Sequence, residues 1–428
     1  MDFHHSHQAI ALHSKLEAFM ERFVLPYNPA WHQSVRSGFF PPPFMEDLKS
    51  LARDEGLWNL FLPHLREGEP GTRVSNLDYA PLAETMGRIP WAAEVFNCSA
   101  PDTGNIELLH RFAKPEQAER WLKPLLDGQI RSAFAMSEPD VASSDPTNLQ
   151  TTVRRVDSQL VLNGRKWFIT GAAHPDCRLL VVMARNDADA QGTEAHARHS
   201  MVLVPLDTPG VQVVRNIAML AHQAPEGHCE IVLRDVRVPA GNLLGGWGEG
   251  FRMAQARLGP GRMHHCMRTI GQCELALELA SERVLERKAF GKYLSDFSNI
   301  QEWIALSRIE IDQARLLVLH AAWMLDQQGT DPSLLRSQVA AIKVVAARLQ
   351  TRVVDRAMQI FGAMGLSPDT PLAWFWSWGR ALQLMDGPDE VHLRTVARHE
   401  LARARGRMGA GSAYFTTPAQ LEAAPRLR

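Results

Sequence analysis

The sequence predicts an α+β chain of three domains: helices first, strands in the middle and a bundle of antiparallel helices at the end. Three observations predict it. The 428 residues are too many for one compact core. Apolar residues recur at helical spacing up to about residue 132 and again beyond 250, while short apolar runs and turn residues fill the stretch between. Hydrophobic residues make up 45% and charged residues 22%, as in an ordered globular protein. The expected divisions are 1–132 (helical), 133–243 (a β-barrel or sheet), 244–407 (helical bundle) and a loose tail over 408–428.

Taken in order, 11–24 reads as a helix, Phe39-Phe40-Pro41-Pro42-Pro43 as a break and 44–57 as the next helix. Pro115 opens another helix in its first turn. From Ser132 the pattern changes. Leu160-Val161-Leu162 and Trp167-Phe168-Ile169-Thr170 flank Asn163-Gly164, which reads as a hairpin turn. The runs 179–183 and 201–204 suit buried strands, and the polar stretch 186–199 between them suits an exposed loop. The segments 230–233 and 236–239 complete the strands. Residues 271–287, 300–327 and 333–360 then carry bundle-forming helical periodicity.

The formal net charge of −1 gives no basic stripe, so a nucleic-acid partner is not expected. No apolar run approaches the roughly 20 residues that span a bilayer, so membrane insertion is not expected either. The five cysteines are scattered, without a CxxC pair, and read as buried thiols in a reducing compartment. The start, MDFHHSH, has neither a signal core nor an Arg-rich transit pattern, which makes the cytoplasm the expected location. The histidines lack metal-ligand spacing. His264, His265 and His392 are expected in the core or on the surface, and no metal is expected. GxGxxG after a strand and GxxxxGK[ST] are both missing, which argues against Rossmann and P-loop sites.

Five segments can carry chemistry. Phe134-Ala135-Met136-Ser137-Glu138-Pro139, followed by Asp140 to Asp145, offers main-chain N–H groups and hydroxyls to a heterocycle or phosphate; otherwise it is a domain-linking loop. Lys166 to Thr170 offers aromatic walls and a hydroxyl, or is simply a core strand. Arg257-Leu258-Gly259-Pro260-Gly261-Arg262 reads as a flexible turn opening the C-terminal helices, suited to phosphate or pantetheine, or as a helix-initiating turn with a surface arginine. Glu286 to Lys292 places Arg287 beside Phe290, a grip for pyrophosphate or adenine, or a solvated helix end. The fifth runs from Gln359-Ile360-Phe361-Gly362-Ala363-Met364-Gly365 to Asp386-Gly387-Pro388-Asp389-Glu390-Val391-His392. There Leu384-Met385-Asp386 sets a carboxylate among apolar residues, where desolvation would raise its pKa toward that of a neutral-pH general base.

Together and in this order, these segments resemble the acyl-CoA dehydrogenase family over nearly the whole chain, to about residue 407. The stretches 138–145 (EPDVASSD), 257–266 (RLGPGRMHHC) and 386–392 (DGPDEVH) are most similar to the branch of family members 10 and 11. The resemblance implies that the C-terminal bundle has four helices, with a non-covalent FAD between it and the strand domain. Phe134, Met136, Ser137 and Ser144 would line it from the first loop, and Phe168, Ile169 and Thr170 from the strand, with Ala363, Gly387 and Glu390 adjoining it. Arg287, Phe290, Gln359 and Gly362 would reach the FAD of a neighbouring subunit, which implies a homodimer or homotetramer. Gly259, Pro260, Gly261 and Arg262, with Ser144, would contact the acyl-CoA. Asp386 would be the base that takes the α-proton while hydride passes from Cβ to flavin N5, and electron-transfer flavoprotein would be the acceptor.

Most of the family has Glu at the Asp386 position, so this carboxylate is shorter by roughly 1.5 Å, one carbon–carbon bond. Pro388 and Glu390 also depart from the common Thr and Gln, and the Ser143-Ser144 pair leaves either serine as the contact, with the count from Asp145 favouring Ser144. The branch is associated with 4-hydroxyacyl-CoA breakdown through 4-phosphorylated thioesters. Two other readings stay open: a flavin oxidase of the same fold, and a flavin-free scaffold.

Overall fold

A computed structural model describes residues 4–187, 194–220 and 222–422. The N-terminal third is helical: α1 (His7–Phe19), α2 (Asn28–Arg36), α3 (Met45–Asp54), α4 (Asn76–Gly87), α5 (Ala92–Val95), α6 (Asp102–Phe112) and the short α7 (Pro115–Gln117) and α8 (Lys123–Leu126). Ser75 caps α4 by accepting from the Asp78 N–H at 3.0 Å, and the Asp326 carboxylate takes the Asn76 and Leu77 N–H groups.

The middle is one mixed sheet. Its strands are β1 (Arg131–Ala135), β2 (Thr152–Val156), β3 (Gln159–Thr170), β4 (Cys177–Asn186), β5 (His199–Pro205), β6 (Val211–Asn216), β7 (His228–Pro239) and β8 (Leu243–Leu244). They run in the order β6-β7-β3-β2-β4-β5-β8, with β1 parallel beside β4. β4 is buried on both faces, which explains its unbroken apolar run. Leu179, Val181 and Met183 join the helical core, whereas Leu180, Val182 and Ala184 join the core of the sheet itself. Of the polar stretch expected as a loop over 186–199, residues 188–193 lie outside the described residues.

The expected hairpin at Asn163-Gly164 does not form. β3 runs straight through it, and the turn lies at 157–158, where Asp157 has φ +52° and β2 pairs back along β3. Gly164 serves a different need. A Cβ there would lie 2.3 Å from Thr151 Oγ1, so the glycine permits close backbone approach beside a register shift in the β3–β7 ladder.

The C-terminal part holds α9 (Gly250–Glu286), α10 (Ser298–Asp326), α11 (Pro332–Phe361), α12 (Leu372–Leu382) and α13 (Asp389–Arg405). Here α11 packs against the other four. The turn expected at Arg257 to Arg262 is also overturned: it lies inside α9, which continues through Pro260. Residues 250–258 already supply the preceding turns, and packing of Met253, Ala254, Met263 and Met267 into the core holds the helix across the proline. Beyond α13 the described tail is exposed. All five cysteines are free and buried. Among the described residues no helix is long and apolar enough to cross a membrane.

α4 and α9 cross at two glycines. A Cβ on Gly271 would lie 1.8 Å from the Glu84 carbonyl oxygen, and one on Gly87 would lie 2.3 Å from that of Arg268. Both obstacles are main chain, so neither can rotate away. Gly271→Ala is therefore expected to destabilise the protein by about 3 kcal/mol, the upper end for overpacking. Denaturant unfolding of parent and variant measures this, and equal midpoints would contradict the close crossing.

Candidate active site

The first loop is built on a buried ion pair. Glu138 accepts from the Gln150 N–H at 2.6 Å, the Thr151 N–H at 2.9 Å and Lys166 Nζ at 2.8 Å. Lys166, wholly buried, donates its other two protons to the carbonyls of Met136 and Met183. Burial pulls the Lys166 ammonium down to about 8 against the opposing pull of Glu138. Burial also pushes Glu138 up, but Lys166 and the hydrogen bonds outweigh it and leave that carboxyl below its usual value. This pair ties the loop to β3 and β4. The Trp167 N–H adds a bond to the Ser137 carbonyl at 3.0 Å.

Ser143 is occupied within the loop: its hydroxyl accepts from the Glu138 N–H at 2.8 Å and donates back to the Glu138 carbonyl. Ser144 is exposed. Phe168 stands at φ +51° and is 41% exposed, at a register shift between Lys166 and Ile169. A bulky residue in this backbone region is rare, and here it turns the ring out of the sheet. Ile169, expected to line a cofactor, has its side chain in the sheet core, so only its main chain is available. Phe134 lies under the Arg257 guanidinium at 4.1 Å.

Asp386 sits on a left-handed turn, with φ +53° followed by Gly387 at +95°. Three side chains, two of them cationic, clamp its main chain or that of its neighbour. Arg262 Nε donates to the Asp386 carbonyl at 2.8 Å, and His392 Nε2 donates to the same oxygen at 3.1 Å. Lys343 Nζ donates to the Gly387 carbonyl at 2.7 Å. The Asp386 carboxylate lies 3.4 Å from His265 Nε2. A narrow pocket is lined by Arg262, His265, Thr269, Lys343, Leu382 and Asp386, among others.

The expectation that apolar neighbours raise the Asp386 pKa is therefore wrong. Leu384 is 58% exposed and points away from any core. Burial pushes the carboxyl up, but His265, Arg262, Arg257 and Lys343 together hold it below its usual value. His265 is drawn down to about 4 by burial, reinforced by Arg268, so the imidazole is neutral at pH 7. His265 and His392, expected as core or surface residues, both touch Asp386. His264 and His392 are both buried, His264 against the rings of Phe61 and Tyr79.

A chain of contacts joins the strand to the acid. Thr170 Oγ1 meets His228 Nδ1 at 3.0 Å. His228 stacks near Trp378 on α12, with centroids 6.4 Å apart, and Trp378 lies 6.3 Å from His265. Sequence reasoning missed His228, Trp378, His265 and Lys343. The usable signal was the three-residue spacing of Arg262, His265 and Arg268, which shares a face only if the helix passes through Pro260.

Other expected residues lie elsewhere. Arg287, Phe290, Gln359, Gly362 and Ala363 are exposed, Phe290 to 97%. They cluster where α9 and α11 end together, with Arg283 over the Phe361 ring at 5.4 Å. Gln359 is roughly 24 Å along α11 from Lys343 at the helical rise. Gly259, Pro260 and Gly261 form part of α9, and a Cβ on either glycine would meet nothing within 4 Å. Glu390 is exposed in the first turn of α13.

Three domain models of the acyl-CoA dehydrogenases match in succession: the N-terminal domain over 6–129, the middle domain over 133–236 and the C-terminal domain over 248–401. The chain belongs to the acyl-CoA dehydrogenase family. It is 51% identical to the probable acyl-CoA dehydrogenase FadE2 of Mycobacterium tuberculosis, covering 96% of this chain and 99% of that one. It is 49% identical to acyl-CoA dehydrogenase family member 10 of Mus musculus and 44% identical to family member 11 of Gallus gallus, over 91% and 93% of this chain. It spans only 36% and 51% of those two longer proteins. A solved structure from Mycobacterium abscessus, described as a candidate acyl-CoA dehydrogenase, is 48% identical with a TM-score of 0.88, covering 94% of this chain and 99% of that one. A glutaryl-CoA dehydrogenase of Mycobacterium smegmatis, solved with FADH2, shares the fold at 21% identity and a TM-score of 0.75, over 93% and 95%.

Proposed function

We propose that this chain is an FAD-dependent acyl-CoA dehydrogenase in which Asp386 removes the α-proton of an acyl-CoA thioester. The observation that carries the reading is the half-buried Asp386 carboxylate, linked through His265, Trp378 and His228 to Thr170 on the strand. The residues beside that strand fit a flavin. Phe168 is turned outward, Ser137 and Thr170 offer polar atoms, and the buried His228 Nε2 has no hydrogen-bond partner among the described residues. A bound FAD would supply the acceptor, at N5, for the hydride leaving Cβ.

The chain's own groups do the rest. Asp386 is anionic at neutral pH and ready to take a proton. Its N–H would donate to the thioester oxygen, and a donor of this kind is worth ~3 kcal/mol as charge develops there. Trp378 and Leu382 help to keep water from the proton in transit. Arg287, Phe290, Gln359, Gly362 and Ala363 would grip a neighbouring subunit's FAD, which their exposure and distance from Asp386 support. Ser144 and Gly259 to Arg262 would meet the acyl-CoA, and electron-transfer flavoprotein would take the electrons.

The substrate class follows from charge. Arg257 is satisfied by neutral partners, Asn105 Oδ1 and the Pro101 carbonyl, and Arg262 by a carbonyl. Lys343 is paired with Asp389 at 3.7 Å, so the two arginines leave the positive charge around the acyl pocket, which favours an acyl group carrying a hydroxyl or phosphate at C4. Anaerobic mixing with straight, branched, 4-hydroxy and 4-phospho acyl-CoAs tests both levels. A yellow protein bleached by acyl-CoA is expected, with the 4-oxygenated chains effective at the lowest concentrations. A colourless protein, or one that no acyl-CoA bleaches, refutes the reaction. Preference for plain straight chains refutes the substrate class, and peroxide formed in air would mark an oxidase.

A further inference from the structure

The Asp386 turn is held at its main chain by Arg262, His392 and Lys343, but none of these contacts fixes the carboxylate. Among the described residues, His265 is the one side chain within ion-pair distance of it, 3.4 Å from Nε2 to Oδ2. The other ring nitrogen of His265 faces Arg268 Nη2 at 3.2 Å. A guanidinium can only donate, so His265 Nδ1 must accept. A neutral imidazole that accepts at Nδ1 carries its proton on Nε2, the nitrogen turned to Asp386. Arg268 is itself anchored, with Nη1 donating to the Cys98 carbonyl of the N-terminal helical layer at 3.2 Å. The Trp378 ring flanks the imidazole, tilted by 52°.

We propose that His265 is the positioning residue for Asp386: Arg268 sets its tautomer, and its Nε2–H holds the carboxylate in the rotamer that faces the acyl chain. This rests on the dehydrogenase reading above. It also gives this chain a means of using Asp, a short base whose carboxylate has fewer rotatable bonds but less reach. The 3.4 Å separation is longer than a settled N–H···O bond, and filling of the site would shorten it. The surrounding charges are Arg257, Arg262 and Arg268 on α9, Lys343 on α11 and Asp389 on α13, with neutral His392 on α13 and neutral His228 facing from the sheet. Removing a neutral donor leaves those charges in place, so its loss is read at the carboxylate alone.

His265→Phe keeps the ring and removes the donor, whereas His265→Gln returns an N–H near the Nε2 position. In the FAD-loaded full chain, His265→Phe is expected to slow flavin reduction about 10- to 100-fold, as for a base misplaced by up to ~1 Å, with KM little changed. The acidic limb of its kcat profile moves to higher pH, because an anion that loses a donor protonates more readily. His265→Gln recovers the rate to within about fivefold of the parent. An unchanged rate and acidic limb in His265→Phe, or no recovery in His265→Gln, overturns the proposal. Nitrogen NMR of the histidine-labelled parent gives a second decision that needs no turnover. The Nε2–H tautomer at pH 7 upholds the proposal, and the Nδ1–H tautomer or an imidazolium rejects it. A parent that no acyl-CoA reduces would sink the reaction assigned above while this tautomer measurement still decides for His265.

Discussion

Asp386→Asn is expected to slow flavin reduction by acyl-CoA by about 10³- to 10⁴-fold, the upper range for losing a general base. The size follows from the absence of a substitute among the described residues. Around the carboxylate stand Arg262, Lys343 and Arg257, which cannot accept a proton from carbon at neutral pH, and His265, whose free nitrogen is turned to Arg268. The variant is also clean. Asn tolerates the left-handed backbone that Asp386 adopts at φ +53°. The carbonyl still accepts from Arg262 and His392. Flavin content and unfolding midpoint should therefore stay close to the parent's. Stopped-flow reduction under anaerobic conditions measures the effect. A variant within tenfold of the parent would remove Asp386 from the base position.

Lys166→Met is expected to cost about 3–5 kcal/mol of stability, the range for breaking a buried ion pair from one side. It strands Glu138, which is 3% exposed, with only the Gln150 and Thr151 N–H groups, and it removes donors from the Met136 and Met183 carbonyls. The same change frees the loop that carries Ser137 and Ser144, so bound flavin should fall together with stability. Lys166→Met combined with Glu138→Gln removes the stranded charge and should recover at least half of the loss. Denaturant unfolding and the flavin-to-protein absorbance ratio report both effects. A Lys166→Met protein as stable and as yellow as the parent would show that the pair does not hold the loop.

The helix–strand–helix order could be read from the chain because it rests on local periodicity. The runs at 179–183 and 201–204 became strands, and 300–327 and 333–360 became α10 and α11, since an apolar face must be buried wherever the chain goes. The motifs around Ser137, Lys166, Arg287, Gln359 and Asp386 were visible for the same reason. Local signals failed where a distant partner decided the outcome. Gly164 looked like a turn residue until Thr151 came within 2.3 Å of its missing Cβ. Gly259-Pro260-Gly261 looked like a helix start until core packing on both sides carried α9 through it.

The acid shows this division most clearly. Sequence alone marked Asp386 and its neighbouring glycine, because a carboxylate before Gly387 is a local fact. Its charge state belongs to the tertiary structure. Arg262 lies 124 residues away in the chain, and the nearest sequence neighbours, Met385 and Leu384, have little influence. A pKa sums desolvation and Coulomb interactions over every group within several ångströms. Folding chose those groups, and it chose cations.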